Sequence, residues 1–165
     1  MKMFELKDAA AHVTSYNSRG ERHGEEVVPA ADLALKVKVH NSKLDQIDPN
    51  LKEVLFRKPT KGEQGELEIG DGMTKLRLPR VCMPLKLSEK LPGYTLSVGT
   101  GLGKSKPRVI TPVELSKFAV EPQEGGSVEI TFKAAFEADE DTASLGLLVQ
   151  QDVVITLNPP KEAVE

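Results

Sequence analysis

The stretch Gly99-Thr100-Gly101-Leu102-Gly103-Lys104-Ser105 is the first whose residue types suggest chemistry, and the chemistry is phosphate binding. A glycine-rich loop ending in Gly-Lys-Ser can cradle phosphates with its backbone N–H groups while the lysine supplies charge. The nucleotide-hydrolysing form of that loop needs its first glycine where Val98 stands. It must also open a helix, whose N-terminus completes the site. Here Lys106-Pro107-Arg108 follows, and Pro107 turns the residue before it toward extended backbone. No apolar strand ending in aspartate offers a magnesium partner. The stretch therefore reads as a hairpin loop whose exposed Lys104 and Lys106 can still meet a phosphate.

His12, His23 and His40 are the histidines of the chain, and their spacing fits no zinc pattern. Cys82 has no second cysteine to share a metal or a disulfide, and it reads as a small buried hydrophobe between Val81 and Met83. The run Glu137-Ala138-Asp139-Glu140-Asp141 has the charge of a calcium loop but neither its alternating ligands nor its glycine. Acidic residues at that point suit the start of a helix, where the dipole favours negative charge. No catalytic residue, metal or cofactor is expected, and the protein reads as a non-enzyme.

The third candidate is a charge asymmetry. Residues 74–108 hold eight cations against Glu89 alone, a net of +7, whereas residues 1–73 carry −2 and residues 109–165 carry −8. Alternation places part of that charge. Lys75 and Arg77 stand opposite Leu76 and Leu78, and Lys86 stands between Leu85 and Leu87. With Arg80, Lys104, Lys106 and Arg108 on adjoining loops, these residues predict one basic face, and Tyr94 adds an aromatic platform. A positive track with stacking rings is how single strands are bound without sequence readout.

The elements that must carry these residues read mainly as strands. Leu33, Leu35, Val37 and Val39 alternate with Lys36 and Lys38, which predicts a half-buried strand over 33–39. Further strands are predicted over 75–78, 83–88, 94–98, 107–111, 111–121, 127–136 and 153–157. The clearest is 127–136, where Val128, Ile130, Phe132, Ala134 and Phe136 share one side. Thr111-Pro112-Val113-Glu114 also resembles a helix start, but the alternation of Phe118 and Val120 favours the strand. Short helices are predicted over 49–57, after Asp48-Pro49, and from Asp139–Asp141 to Gln150. Residues 14–31 read as a mobile loop, 58–72 as a flexible glycine-rich loop and 159–165 as a tail.

The fold expected is a single mainly β (α+β) domain, an antiparallel sandwich or barrel-like sheet with two short helices. Val128, Ile130, Phe132 and Leu157 are expected in its core. No apolar run matches a signal peptide or a membrane span, so a cytoplasmic protein with no membrane partner is expected. Exposed sheet edges are compatible with a homo-oligomer.

Several phrases carry a resemblance: Val28-Pro29-Ala30-Ala31-Asp32-Leu33, Leu44-Asp45, Asp48-Pro49-Asn50-Leu51, Gly93-Tyr94-Thr95-Leu96, Gly125 through Phe132, and Gln150-Gln151-Asp152-Val153. Together they resemble a family of small proteins of tailed bacteriophages and proteobacterial prophages. The resemblance implies a bacterial cytoplasm and a phage-related task, and it brings no catalytic residues. The function expected is an accessory protein that binds nucleic acid, single-stranded DNA first, in phage replication or recombination. The alternative is a protein-binding factor that inhibits a host enzyme or defence complex, with the acidic residues of 109–165 imitating DNA.

Overall fold

The structure, a computed structural model, describes residues 4–63, 72–81, 84–100 and 106–161. Its strands are β1 (Leu6–His23), β2 (Glu26–His40), β3 (Phe56–Arg57), β4 (Lys75–Leu76), β5 (Leu85–Lys86), β6 (Leu91–Gly99), β7 (Arg108–Gln123), β8 (Ser127–Glu137) and β9 (Asp152–Asn158). Two short α-helices, α1 (Leu51–Leu55) and α2 (Glu140–Ala143), stand beside short 3-10 segments.

Six strands close into an antiparallel barrel in the order β7-β6-β9-β1-β2-β8, with β8 returning to β7. Closure removes the two free edges that an open sheet would expose. Of the two expected forms, sandwich or barrel-like sheet, the barrel is the one adopted. Val128, Ile130, Phe132, Ala134 and Phe136 of β8 all point inward and are buried, as is Leu157 of β9. Phe4, Phe118 and Phe132 meet in the interior with ring centroids 5.5 to 6.3 Å apart. Phe4, Leu44 and Phe56 are fully buried toward the β7–β8 turn end, and Leu145 is fully buried beneath the opposite end. The barrel is a packed core.

Several expectations change. The helix predicted to reach Gln150 stops at Ala143 and passes into the 3-10 segment Ser144–Leu148, and the strand predicted over 83–88 shrinks to Leu85–Lys86. Residues 14–31 are not a loop: they form the outer part of the β1–β2 hairpin, paired continuously from Ser15↔Ala34 to His23↔Glu26. Gly24 takes φ +67° in its two-residue turn, the left-handed backbone such a turn requires. The hairpin projects past β8, which stops pairing at Ala30↔Glu137, so from Gly20 onward it buries no face and shows no period-two pattern. Residues 107–121 are one strand, β7, and not two. The strand predicted over 75–78 shrinks to the two residues of β4, which pair with β3 in a separate small sheet.

Helix α1 falls inside the predicted 49–57. Asp48, the predicted cap, accepts from the backbone N–H of Asn50 at 2.8 Å, but the helix starts two residues later, with Asn50 at its N-cap position. At α2 the acidic run does what its charge suggests. Asp139 Oδ1 accepts from the Thr142 N–H, and the Thr142 hydroxyl accepts from the Asp139 N–H, each at 2.8 Å. That reciprocal box holds the Asp139 carboxyl below its ordinary range, chiefly through the Thr142 N–H.

Candidate binding surface

The cations expected on one face are separated by the length of β7. Arg108 opens that strand beside Val98 of β6, and its guanidinium donates to the Asp141 backbone carbonyl under α2. Lys106 lies just before it and is exposed. Lys86 pairs with Ala119 at the other end of the same strand. Ten residues of strand intervene between Arg108 and Ala119, roughly 35 Å. Lys75 and Arg77 lie with Lys86 at the β7–β8 turn end, where the Thr74 carbonyl accepts from the Gly125 N–H at 3.0 Å. Lys104 and Cys82 fall outside the described residues.

Two of the expected residues are engaged inside the fold. Lys75 Nζ lies 3.3 Å from Glu124 Oε1, with its side chain largely covered. Arg77 Nε donates to the Glu53 carbonyl, and the Arg77 backbone N–H donates to Leu55 at 3.0 Å, tying β4 to α1. Tyr94 is a correction. Its side chain is inward-facing on β6, in step with Leu96 and Val98, and only 3% of it is exposed. Burial, and secondarily Glu5, raises its hydroxyl above the usual phenol range. A ring inside the barrel is no platform for a base. Arg80 and Lys86 remain exposed, with no ion pair among the described residues.

What the charge pattern did not reveal is the apolar surface beside those cations. Val54, Leu78, Val81 and Leu85 are 58%, 61%, 55% and 39% exposed, and all four line one cleft with Leu55, Leu76 and Pro122. Its construction follows from short elements. Helix α1 has no fully buried residue, so Val54 stays outside. Strand β4 ends at Leu76, so Leu78, the next residue on its inner side, finds no barrel interior. Strand β5 pairs with β7 at Val120 and Ala119, and its other edge is unpaired among the described residues. The cleft volume is about 70 Å³, below the roughly 300–1,000 Å³ of small-molecule sites. Exposed apolar residues gathered on one concave surface mark an interaction site. Three of the four have a cation next to them in the chain, Arg77 beside Leu78, Arg80 beside Val81 and Lys86 beside Leu85, whereas Val54 stands beside Glu53.

Other polar groups serve the fold. Asp32 is held by Arg19 Nε at 3.1 Å and Lys133 Nζ at 3.7 Å across the outer wall. His40 Nδ1 accepts from the Ser42 N–H at 3.1 Å, and His23 Nε2 lies 3.2 Å from Glu21 Oε1. His12 joins β1 to β9: its Nδ1 is 3.0 Å from Asp152 Oδ1 and its Nε2 3.4 Å from Gln150 Oε1. The Gln150 amide is oriented by its own donation to the Thr14 carbonyl at 3.2 Å. Both ring nitrogens therefore face acceptors, which the imidazolium alone satisfies. The Asp152 and Gln150 hydrogen bonds accordingly raise the His12 pKa above 6.5.

Among the described residues no group of three or more His, Cys, Asp or Glu side chains could hold a metal ion. No described helix is long and apolar enough to cross a membrane. The phosphate-like glycine stretch leads from β6 into β7, so a strand follows it where a nucleotide loop needs a helix. No protein-family model matches the chain, and neither a characterised protein nor a solved structure matches it.

Proposed function

We propose that this chain is a non-enzymatic accessory protein that docks a protein partner in the turn-end cleft. One observation carries the reading: four large apolar side chains, each well exposed, converge on a single concave surface, and Arg80 and Lys86, exposed and without an ion pair among the described residues, adjoin Val81 and Leu85 in the chain. Such a surface rewards a protruding apolar side chain, and the cations favour an acidic surround. In the bacterial cytoplasm that the family resemblance implies, the partner is a host or phage protein. The test is capture from a nuclease-treated bacterial lysate by parent protein and by Val81→Asp. The parent is expected to retain a protein that the variant releases. Equal retention by both contradicts the reading.

Binding of single-stranded nucleic acid is the second reading, supported by the exposed Arg80, Lys86 and Lys106. It rests on phosphate contacts alone, since Tyr94 is internal. Binding to a labelled oligonucleotide would then weaken with salt at a log–log slope of about −0.7 per phosphate contact. Replacing Arg80, Lys86 and Lys106 with Ala would flatten that slope. No shift of the oligonucleotide at low salt excludes this second reading.

A further inference from the structure

The end of the barrel opposite the cleft carries the complementary features. The 3-10 segment Ser144–Leu148 follows α2 and buries Leu145 completely while leaving Leu147 78% exposed. Leu147 is not loosely held. Gly146 lies over the Tyr16 ring, near enough that a β-carbon there would be in ordinary van der Waals contact with it at 3.5 Å. The Val13–Gln150 and Gln151–Val13 backbone hydrogen bonds, 2.8 and 3.0 Å, fasten the following turn to β1. Val109, 63% exposed, stands at the start of β7, where Arg108 meets α2. The same end exposes Glu137, Glu140 and Asp141, none of which makes a side-chain ion pair among the described residues. Among the described residues its cations are Lys106, Arg108, already bonded to the Asp141 carbonyl, and on the projecting hairpin Arg19, paired with Asp32 and Glu21, and Arg22; the hairpin's own Glu21, Glu25 and Glu26 keep this end acidic.

The barrel thus carries an apolar cleft flanked by cations at one end and a fixed apolar projection flanked by carboxylates at the other. The charge asymmetry of the sequence, basic in 74–108 and acidic in 109–165, is partly expressed as this polarity. We propose that the occupant of the cleft is a second copy of this chain, entering with Leu147 and its acidic surround. The proposal rests on the reading of the cleft as a protein-docking site and names the partner. A concave site argues for a protruding side chain and against a flat lipid surface. Because cleft and projection lie at opposite ends, the contact is head-to-tail, and each added copy presents a new free cleft. Assembly therefore does not stop at a closed dimer.

Sedimentation of the purified full chain tests this. The average mass of the parent should rise with concentration past that of two chains, and added salt should lower it as charge complementarity is screened. Val81→Asp and Leu147→Asp should each remain single chains at every concentration. Both positions are exposed, so the variants should keep the parental circular dichroism and melting temperature, and Leu147→Ser serves as a milder second variant. Mixing the two variants decides the geometry. Val81→Asp keeps its projection and Leu147→Asp keeps its cleft, so the mixture should form pairs and nothing larger. A parent that stays a single chain when concentrated overturns the proposal, as does a mixture that fails to pair. If the parent stays single while Val81→Asp still loses a lysate protein, the self-association fails and the docking cleft stands. If Val81→Asp also retains that protein, both fail.

Discussion

Strands β7 and β5 lie side by side and bury their apolar residues very differently. In β7, Val113, Leu115, Phe118 and Val120 are all buried, because the strand has β6 or β5 on one edge and β8 on the other and faces a filled interior. In β5, two residues long, Leu85 stays 39% exposed although it pairs directly with Val120. The same contrast holds between the whole barrel wall and the annex of α1, β3, β4 and β5. A side chain is buried by what lies across from it, and alternation along a strand only offers it for burial. The wall spends its apolar residues on stability; the annex leaves several for contact with something else.

The largest effect expected from this contrast is at Phe132, which is 2% exposed and stacks on Phe118 at 5.7 Å. Phe132→Ala should cost about 3–5 kcal/mol in urea unfolding. A cost below about 1 kcal/mol would place the ring outside the tightly packed interior. The α2 cap comes next. Asp139→Ala removes an acceptor for the Thr142 N–H and should lower the unfolding midpoint, with Asp139→Asn recovering most of the loss.

His12 sharpens the contrast differently, since it joins two wall strands on their solvent side. Its folded pKa lies above 6.5, so the folded protein binds a proton more tightly than the unfolded chain. The stability it contributes is fully present below about pH 6.5 and is lost as pH rises through the folded value. Stability measured from pH 6 to 8 should therefore decline more in the parent than in His12→Ala. An NMR titration that places the His12 midpoint at or below 6.5 would contradict the arrangement. The smallest effect belongs to the annex. Leu78→Ala, at a residue 61% exposed, should change stability by no more than about 0.5 kcal/mol.

Legibility in the sequence followed the same division. Strand β8 could be read residue by residue, because both neighbours and the interior impose period two on it. The inner halves of β2 and β9 were readable for the same reason. The outer hairpin, 14–31, was not, because a two-stranded ribbon in solvent leaves both faces polar and its pairing comes from backbone groups that every residue has. Tyr94 belongs to the predicted strand, and its alternation with Leu96 and Val98 already places it inward; reading its ring as a stacking platform sets that alternation aside. The cations of 74–108 were counted correctly, yet a net charge along the chain carries no distance, and β7 separates them. The cleft was hidden because Leu76, Leu78 and Leu85 look like wall residues. Only the brevity of β4 and β5 leaves them outside, and strand length is set by partners that a single sequence does not display.

The most direct test of the division between wall and annex compares two residues that face each other across it. Leu85 and Val120 are register partners on β5 and β7, one partly exposed in the cleft and the other fully buried in the barrel. Urea unfolding of Leu85→Asp and Val120→Asp, measured side by side, separates their roles. Val120→Asp places a carboxylate in the core and should cost at least about 3 kcal/mol, whereas Leu85→Asp should cost less than about 1 kcal/mol. Equal large losses would make the cleft part of the core, and the account of it as a docking surface would be wrong.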